Sequence, residues 1–257
     1  MKRFCFTVDD NIRFLKEINE GGYGSIFDHP YLAMYKALHR RFGVKIQLNL
    51  FYRLEDFELS QMTSEYIEQW RESADWLKMS FHSELENIRP YEFSGYEEVY
   101  GHCDQVNGQI IRFASPEALA KTTTVHYCLA TDSGLKALSD NGVKGLLGLF
   151  GTEENPITSY GLNEYEAKRI REGNVIESRE IKFASIDIVL NRFTKEEILE
   201  KLEALSERKE IRVMIHEQYF YPDYKKYQPD FEEKLAATLE FFEARGYQSR
   251  FFEEMIQ

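Results

Sequence analysis

Two adjacent acids, Asp9 and Asp10, follow the β-rich run RFCFTV near the start of the chain. Sites in parallel α/β folds are built at the carboxyl ends of strands, where neighbouring residues point in different directions. One carboxylate could therefore bind a cation while the other faces a bound water as a general base. The same Asp-Asp-Asn sequence could instead cap the next helix or form an Asx turn. The dipeptide thus predicts either a catalytic site or a helix start.

A histidine and a glutamate follow a second apolar run. His82 comes directly after LKMSF, and Glu86 lies four residues further on. If a helix starts there, the two side chains are one turn apart and could hold one divalent ion, because imidazole and carboxylate suit zinc and other transition metals. A surface histidine beside an ordinary glutamate is the alternative interpretation of this pair.

Two more histidines lie at or near strand ends. His126 falls within the β-rich run TTTVHYC, and His216 closes the run IRVMI. Any one of these histidines could be a hydrogen-bonded core residue. Several of them converging on one face of a barrel, together with two acids, indicate a catalytic or metal site. The remaining histidines are interpreted as structural or exposed: His29, His39 and His102.

The composition predicts a folded chain with a large apolar core. Hydrophobic residues make up 43% of the 257 residues and aromatic residues 14%. Three cysteines without a CxxC spacing indicate buried thiols, not a disulfide framework or a structural zinc site. The composition therefore fits a globular enzyme and gives no sign of a disulfide-rich secreted protein.

The charge of the chain bears on its partners. The formal net charge of −12 opposes general binding to nucleic-acid phosphates or anionic lipid. The N-terminal apolar run is too short for a signal peptide, and no stretch approaches the roughly 20 apolar residues of a membrane span. We therefore expect no nucleic-acid or membrane partner, a neutral or metal-bridged substrate, and a cytoplasmic location.

Short β-rich runs alternate with segments of helical spacing, a pattern typical of βα units and a parallel sheet. The predicted strands cover 3–8, 44–51, 77–81, 123–128, 143–149, 186–189 and 211–215. The predicted helices cover 29–42, 64–74, 96–114, 133–141, 195–208 and 230–246. About seven strands favour one distorted or incomplete (β/α) barrel domain over residues 1–257, with an inserted hairpin or excursion at 151–180. The chain lacks the glycine motifs of dinucleotide and P-loop sites.

Two helix ends carry their own signals. Thr194 precedes Lys195-Glu196-Glu197, which predicts an N-cap followed by acidic first-turn residues. Gly246 is predicted to end the last helix, predicted at 230–246, at its C′ position.

The order of these motifs resembles a divergent member of the polysaccharide deacetylase family, within the glycoside hydrolase/deacetylase barrel superfamily. FTVDDN resembles that family's T-F-D-D block, which implies that Asp9 is the catalytic base and Asp10 a metal ligand. FHSELE resembles its H-[ST]-x-x-H block. His82 and Ser83 match, and Glu86 stands where the second histidine ligand is expected.

Two later segments extend the resemblance with less agreement. TVHYCLATDSG resembles the family's R-P-P-Y strand, but the arginine is absent and His126 and Tyr127 occupy that region. VMIHEQYF resembles the late L-x-L-H block, which implies that His216 is the general acid. Asp187 lies where an acidic partner of that histidine is expected.

The resemblance implies a distorted (β/α) barrel and a metal-dependent hydrolase that removes an acyl group from a carbohydrate or related amide, with a small-molecule or oligosaccharide substrate. Asp10, His82 and either Glu86 or His126 would hold zinc or another transition metal. A glycosidase that uses Asp9 with Glu217 is one alternative, and it would need carboxyl groups about 5 to 10 Å apart. A non-catalytic carbohydrate-binding or regulatory barrel with a degenerate site is the other.

Overall fold

A computed structural model of the protein describes residues 1–87, 91–152 and 154–257. Its strands are β1 (Lys2–Asn11), β2 (Ile46–Phe51), β3 (Arg53–Leu54), β4 (Phe57–Glu58), β5 (Leu77–Ser83), β6 (Thr122–Thr123), β7 (Gly145–Gly148), β8 (Ile176–Ser178), β9 (Ile181–Ser185), β10 (Ile188–Val189), β11 (Glu210–His216) and β12 (Tyr247–Ser249). Its α-helices are α1 (Arg13–Gly21), α2 (Pro30–Phe42), α3 (Ile67–Glu72), α4 (Tyr96–Ala114), α5 (Asp132–Asp140), α6 (Glu164–Arg171), α7 (Lys195–Ala204), α8 (Phe231–Ala244) and α9 (Phe252–Met255).

Two sheets form the wall of a distorted barrel. The first has the order β10-β11-β1-β2-β5, with β12 paired to the start of β1, and all its pairs are parallel. The second has the order β6-β7-β9-β8, and in it only β8 and β9 are antiparallel. A parallel bridge between Met79 and Leu119 joins β5 to the segment before β6, and β9 leads directly into β10. The predicted distorted or incomplete (β/α) barrel is therefore confirmed.

The strands that carry the site have buried residues on both faces. Every residue of β2 is buried, as is every residue of β1 from Phe4 onward. Parallel strands covered by helices are typically buried in this way, because their connections place a helix on each outer face. The central strands β1, β2, β5 and β11 are thus fixed by packing over most of their length, and their carboxyl ends lie side by side.

Most predicted helices are confirmed with small differences at their ends. Thr194 and Glu197 form a reciprocal capping box at the start of α7, and Gly246 has a left-handed φ of 70° after α8. The sequence pattern did not predict α1 or α6. Helix α6 lies inside the predicted excursion at 151–180. One residue of that excursion, Glu153, is outside the described residues. Within the described ranges, every helix is too short or too polar to cross a bilayer.

Two strand predictions need correction. The strand predicted at 123–128 ends at Thr123, and His126–Cys128 forms a 3₁₀ turn in which Tyr127 and Cys128 have φ values of 61° and 56°. Of the strand predicted at 186–189, only β10 is extended, and the longer strand β9 lies just before it. The β-branched and aromatic residues in both segments favoured extended chain, but they did not indicate where each strand would end and the chain would turn.

Candidate metal centre

The Asp9-Asp10 pair lies at an irregularity in the central sheet. The register between β1 and β2 shifts between Val8 and Asn11, and Asp10 adopts a left-handed φ of 63°. Asn11 holds this bulge, because its Nδ2 donates to Val8 O over 2.6 Å and to Asn49 O over 3.2 Å. A left-handed non-glycine residue costs free energy, and such residues concentrate at functional sites. The bulge directs both carboxylates into one cavity at the end of the barrel.

Three buried side chains bring ligand atoms together beside this bulge. Asp10 Oδ1 lies 3.0 Å from His82 Nε2 and 3.3 Å from His126 Nδ1. The two imidazole nitrogens are 3.1 Å apart. Ligands bound about 2.0 to 2.2 Å from a tetrahedral zinc ion are spaced by roughly 3.3 Å, so the triangle has the dimensions of one face of such a site. Asp10, His82 and His126 are the group in the described part of the chain that could hold a metal ion.

The outer nitrogens of both histidines determine what the inner ones can do. His82 Nδ1 contacts Thr124 O, and His126 Nε2 lies 2.6 Å from Glu86 O. A carbonyl oxygen can only accept, so both outer nitrogens carry their proton. In the neutral imidazoles, His82 Nε2 and His126 Nδ1 therefore present lone pairs toward the same carboxylate oxygen. Such convergence is stable only with positive charge at its centre, and outer carbonyls that fix the tautomer are typical of metal-binding histidines.

The electrostatics of the group agree with this requirement for positive charge. Burial alone would raise the pKa of Asp10, but the contacts with His126 and His82 hold it well below its usual value. Burial alone would lower the pKa of His82, but Asp9 and Asp10 raise it. The pocket thus attracts a cation, and its two nitrogens and one oxygen fit a divalent transition metal.

Asp9 has an environment different from that of its neighbour. Its side chain is buried, and Asn49 Nδ2 donates to its Oδ1 over 2.6 Å. Burial raises the pKa of Asp9 to about 6, with Asp10 adding to the effect and His82 opposing it. Asp9 is therefore ionised at neutral pH and is a stronger base than an exposed aspartate, as a general base requires.

A polar network inside the barrel supports Asp9. Asn49 Oδ1 accepts from Ser80 Oγ over 2.6 Å and from Gln47 Nε2 over 2.8 Å, and Gln47 also bonds to Thr122. Sequence analysis missed these residues. Gln47 and Asn49 are two positions apart in the otherwise apolar strand IQLNLF, so both point to the same face. Polar residues at that spacing in a buried strand were the signal that could have identified them.

His216 reaches the cavity from β11. Its Nδ1 lies 2.8 Å from Asn191 Oδ1, and its Nε2 lies 4.0 Å from Asp10 Oδ2. Burial lowers the pKa of His216, although Asp10 opposes the effect. The expected partner Asp187 does not contact this histidine, because its carboxylate bonds to Arg208 and to the backbone N–H of Arg212. Asn191 takes the orienting position, and no feature of the sequence marked it.

Glu86 lies at the edge of the cavity with its side chain outside the group of three. Its backbone carbonyl contacts His126, as described above, whereas its carboxylate oxygen Oε1 lies 3.3 Å from Gln218 Nε2. The same Gln218 amide donates to Asp10 Oδ2 over 2.8 Å. The structure therefore brings Asp10, His82 and His126 together and gives the Glu86 carboxylate a place beside Gln218.

The cavity above these residues has a volume of about 360 Å³, and a second cavity of about 260 Å³ adjoins it. Both are lined by Asp10, Glu86, Gln218 and Tyr224, so they meet at Asp10, one of the group of three. The second cavity adds apolar and aromatic surface: Phe51, Leu54 and Tyr221. Aromatic walls beside a polar centre suit the apolar face of a sugar ring.

Glu217, the residue after His216, forms hydrogen bonds that stabilise the fold. Its carboxylate accepts from the backbone N–H groups of Ile12, Arg13 and Phe14 over 2.7 to 3.1 Å, and from Tyr221 Oη over 2.8 Å. Burial raises its pKa to about 7, although these hydrogen bonds lower it. Glu217 thus caps the N-terminus of α1, the helix that begins just after the Asp9-Asp10 bulge.

Replacing Glu217 with alanine is expected to lower the free energy of unfolding by at least about 2 kcal/mol, because three backbone N–H groups, two of them buried, lose their acceptor. Urea titration followed by circular dichroism measures the change. Glu177→Ala is the matched control, since Glu177 is exposed on β8 and its loss should alter stability by no more than about 0.5 kcal/mol. Equal midpoints for the two variants would contradict the capping role.

Comparison with known proteins shows similarity in fold. No known family and no curated protein matches the chain by sequence. A family 4 acetyl xylan esterase from Clostridium thermocellum, solved in complex with a cobalt ion, is 12% identical; the match covers 98% of this chain and 89% of that one, with a TM-score of 0.52. A polysaccharide deacetylase from Bacillus cereus is 13% identical over 100% of this chain and 95% of its own, with a TM-score of 0.49.

A different enzyme shares the same barrel. The 4-alpha-glucanotransferase from Thermococcus litoralis is 14% identical, with a TM-score of 0.60, and the match covers 99% of this chain but only 40% of the longer enzyme. The fold is therefore common to enzymes with different activities. The match to the acetyl xylan esterase confirms the distorted barrel that the resemblance implied, and the residues of the site must support any statement about activity.

Proposed function

We propose that the protein is a metal-dependent hydrolase that removes an acyl group, such as acetyl, from a carbohydrate or related amide. The convergence of Asp10 Oδ1, His82 Nε2 and His126 Nδ1, with both outer nitrogens bound to carbonyl oxygens, is the observation that carries this proposal. The barrel shared with a cobalt-bound acetyl xylan esterase supports it. Two imidazoles and one carboxylate would hold zinc or another transition metal such as cobalt or nickel.

Asp10, His82 and His126 would supply three ligands and leave the cavity side of the site open for substrate and water. A divalent ion held there would polarise the acyl carbonyl and make a bound water more acidic. Asp9 lies beside this group but outside it, and its carboxylate would take the proton from the attacking water. The hydrogen bond from Asn49 holds the Asp9 side chain in place for that transfer.

His216 would complete the reaction on the opposite side of Asp10. Asn191 fixes its Nδ1, which leaves Nε2 directed toward the cavity. When the carbon–nitrogen bond of the amide breaks, the nitrogen must gain a proton to leave as an amine. The imidazolium form of His216 would donate it from Nε2 and keep its other proton on Nδ1, toward Asn191 Oδ1. The products are a carboxylic acid and the free amino sugar, and the proton taken up by Asp9 balances the one that His216 gives.

The glycosidase alternative fits the structure less well. It requires Asp9 and Glu217 to flank a sugar, but the Glu217 carboxylate already accepts hydrogen bonds from three backbone N–H groups and a tyrosine. The non-catalytic alternative predicts a binding site without hydrolysis, so a direct assay separates it from the enzyme.

Acetate release from N-acetylated oligosaccharides tests the proposal. We expect metal-depleted protein to be inactive, and reconstitution with zinc, cobalt or nickel to restore hydrolysis, because the ion would activate both the acyl carbonyl and the attacking water. Asp9→Asn is the matched control, since it keeps the three ligands and should bind metal without hydrolysis. Reconstituted protein that releases no acetate from any neutral or acidic acetylated sugar would contradict the proposal.

A further inference from the structure

A third cavity, of about 300 Å³, lies against the metal centre on the side of His216. It shares Leu149 and Arg192 with the cavity that contains Asp10, His82 and His126. Arg192 follows Asn191, the residue that orients His216. The two cavities therefore adjoin each other at Leu149 and Arg192, and a substrate larger than one small group could extend from one into the other.

The third cavity has an unusual charge for this protein. Its described lining includes four basic residues and one acidic residue: Arg171, Arg192, Lys201, Arg208 and Asp187. The chain as a whole has 44 acidic and 32 basic residues, so an excess of positive charge at one place runs against the composition. Clustered cations in a concave site raise the local concentration of anions.

The acidic residue of this lining is already neutralised. Asp187 Oδ1 lies 2.8 Å from Arg208 Nη1, and its Oδ2 accepts from the backbone N–H of Arg212 over 2.8 Å. The Arg212 guanidinium, which is buried, lies 3.9 Å from the same oxygen. Asp187 is therefore already paired with Arg208, and within the described part of the chain it forms no ion pair with Arg171, Arg192 or Lys201.

The remaining cations have unused binding capacity. Among the described residues, neither Arg192 nor Lys201 forms an ion pair with a carboxylate, and Lys201 Nζ lies over the Phe193 ring at 4.3 Å from its centroid. Arg171 pairs with Glu164, but its buried Nε has no hydrogen-bond partner. Unpaired like charges repel, and in a chain rich in acids they could readily be paired. An anionic ligand would relieve this repulsion.

We propose that the third cavity binds an anionic group, a carboxylate or a phosphate, carried by the substrate whose acyl group is hydrolysed at Asp10, His82 and His126. This inference rests on the proposed function and specifies its substrate class: an acidic, N-acylated saccharide. Arg192 would contact the ligand where the two cavities adjoin, and Lys201 from within the third cavity. Their charges would select acidic sugars over neutral ones of the same size.

Calorimetric titration with glucuronic acid, glucose 6-phosphate and glucose tests the site without requiring hydrolysis. We expect one or both acidic sugars to bind at least roughly 10-fold more tightly than glucose in low salt, and this advantage to shrink as salt is added. The double variant Arg192→Gln/Lys201→Gln should lose the advantage, and Lys201→Gln alone should reduce it. Preference for one acidic sugar identifies carboxylate or phosphate as the ligand.

Lys168→Gln is the matched control, because Lys168 is exposed on α6 and does not line the cavity. Equal binding of all three sugars would overturn the proposal. Equal affinity for the acidic sugars in the wild type and the double variant would also overturn it, since it would place them at the metal centre. Efficient acetate release from neutral sugars, without any preference for acidic ones, would refute this inference and leave the proposed function standing.

Discussion

Loss of bound metal is the expected result of replacing any of the three residues Asp10, His82 and His126. Their ligand atoms lie within 3.3 Å of one another, so each variant removes one corner of the same triangle. Replacing a residue that only hydrogen-bonds to a metal ligand typically weakens metal binding by roughly 10- to 100-fold, and loss of a direct ligand should exceed that. Elemental analysis of purified protein should change from about one divalent ion per chain to almost none.

The substitution at Asp10 needs care because of its backbone. Its φ of 63° suits aspartate and asparagine better than alanine, so Asp10→Ala would combine loss of a ligand with strain. Asp10→Asn keeps the backbone preference and the side-chain volume but removes the charge. We therefore expect Asp10→Asn to lose its metal and to have the same urea midpoint as metal-depleted wild type, because bound metal would itself stabilise the folded state.

Glu86→Ala is the matched control for the ligand variants. The Glu86 carboxylate lies near Gln218 instead of the two histidines, and alanine keeps the backbone carbonyl that contacts His126. This variant should therefore retain stoichiometric metal. Full metal content in both Asp10→Asn and His82→Ala would refute the proposed ligand set. Loss of metal in Glu86→Ala would instead make Glu86 a ligand.

Glu86 and His126 were alternatives for the third ligand, and the contacts around them show what a local sequence pattern could not reveal. The resemblance to H-[ST]-x-x-H places a second ligand four residues after His82, at Glu86. In the structure His126 brings its imidazole to His82 from the turn after β6, and the Glu86 backbone carbonyl contacts the outer nitrogen of His126. That contact depends on a turn in which Tyr127 and Cys128 have left-handed backbone conformations. Glycine and asparagine are the usual sequence signs of such a turn, and neither is present at these positions.

The barrel was easier to predict than the contacts within the site. Buried parallel strands form continuous apolar runs, so the sequence predicted β1, β2, β5 and β11. It also predicted the acidic residues and histidines at the ends of these strands as site residues. The interaction partners of those residues were not visible. Asn191 and Glu217 act through bonds to residues far away in sequence, His216 and the start of α1. Nothing in its own segment marked Asn191, and Glu217 was considered only as a glycosidase carboxylate.

Replacing His216 with alanine is expected to leave metal binding intact and to slow amide hydrolysis by about 10²- to 10⁴-fold, the usual contribution of a general acid or base. His216 Nε2 is 4.0 Å from Asp10 Oδ2, farther than any contact within the group of three. The leaving amine would then have to gain its proton from water. Metal content and kcat, measured on the same preparation, check both parts of this expectation.

Asn191→Ala provides the comparison that separates a positioning residue from the acid itself. Asn191 contacts His216 only through Nδ1, so its loss should free the ring to rotate and lower kcat less than His216→Ala does. A full rate in His216→Ala with metal present would remove this histidine from the reaction. If His216→Ala lost its metal as well, His216 would be a fourth ligand, and the proton for the amine would have to come from Asp9 after it accepts one from water.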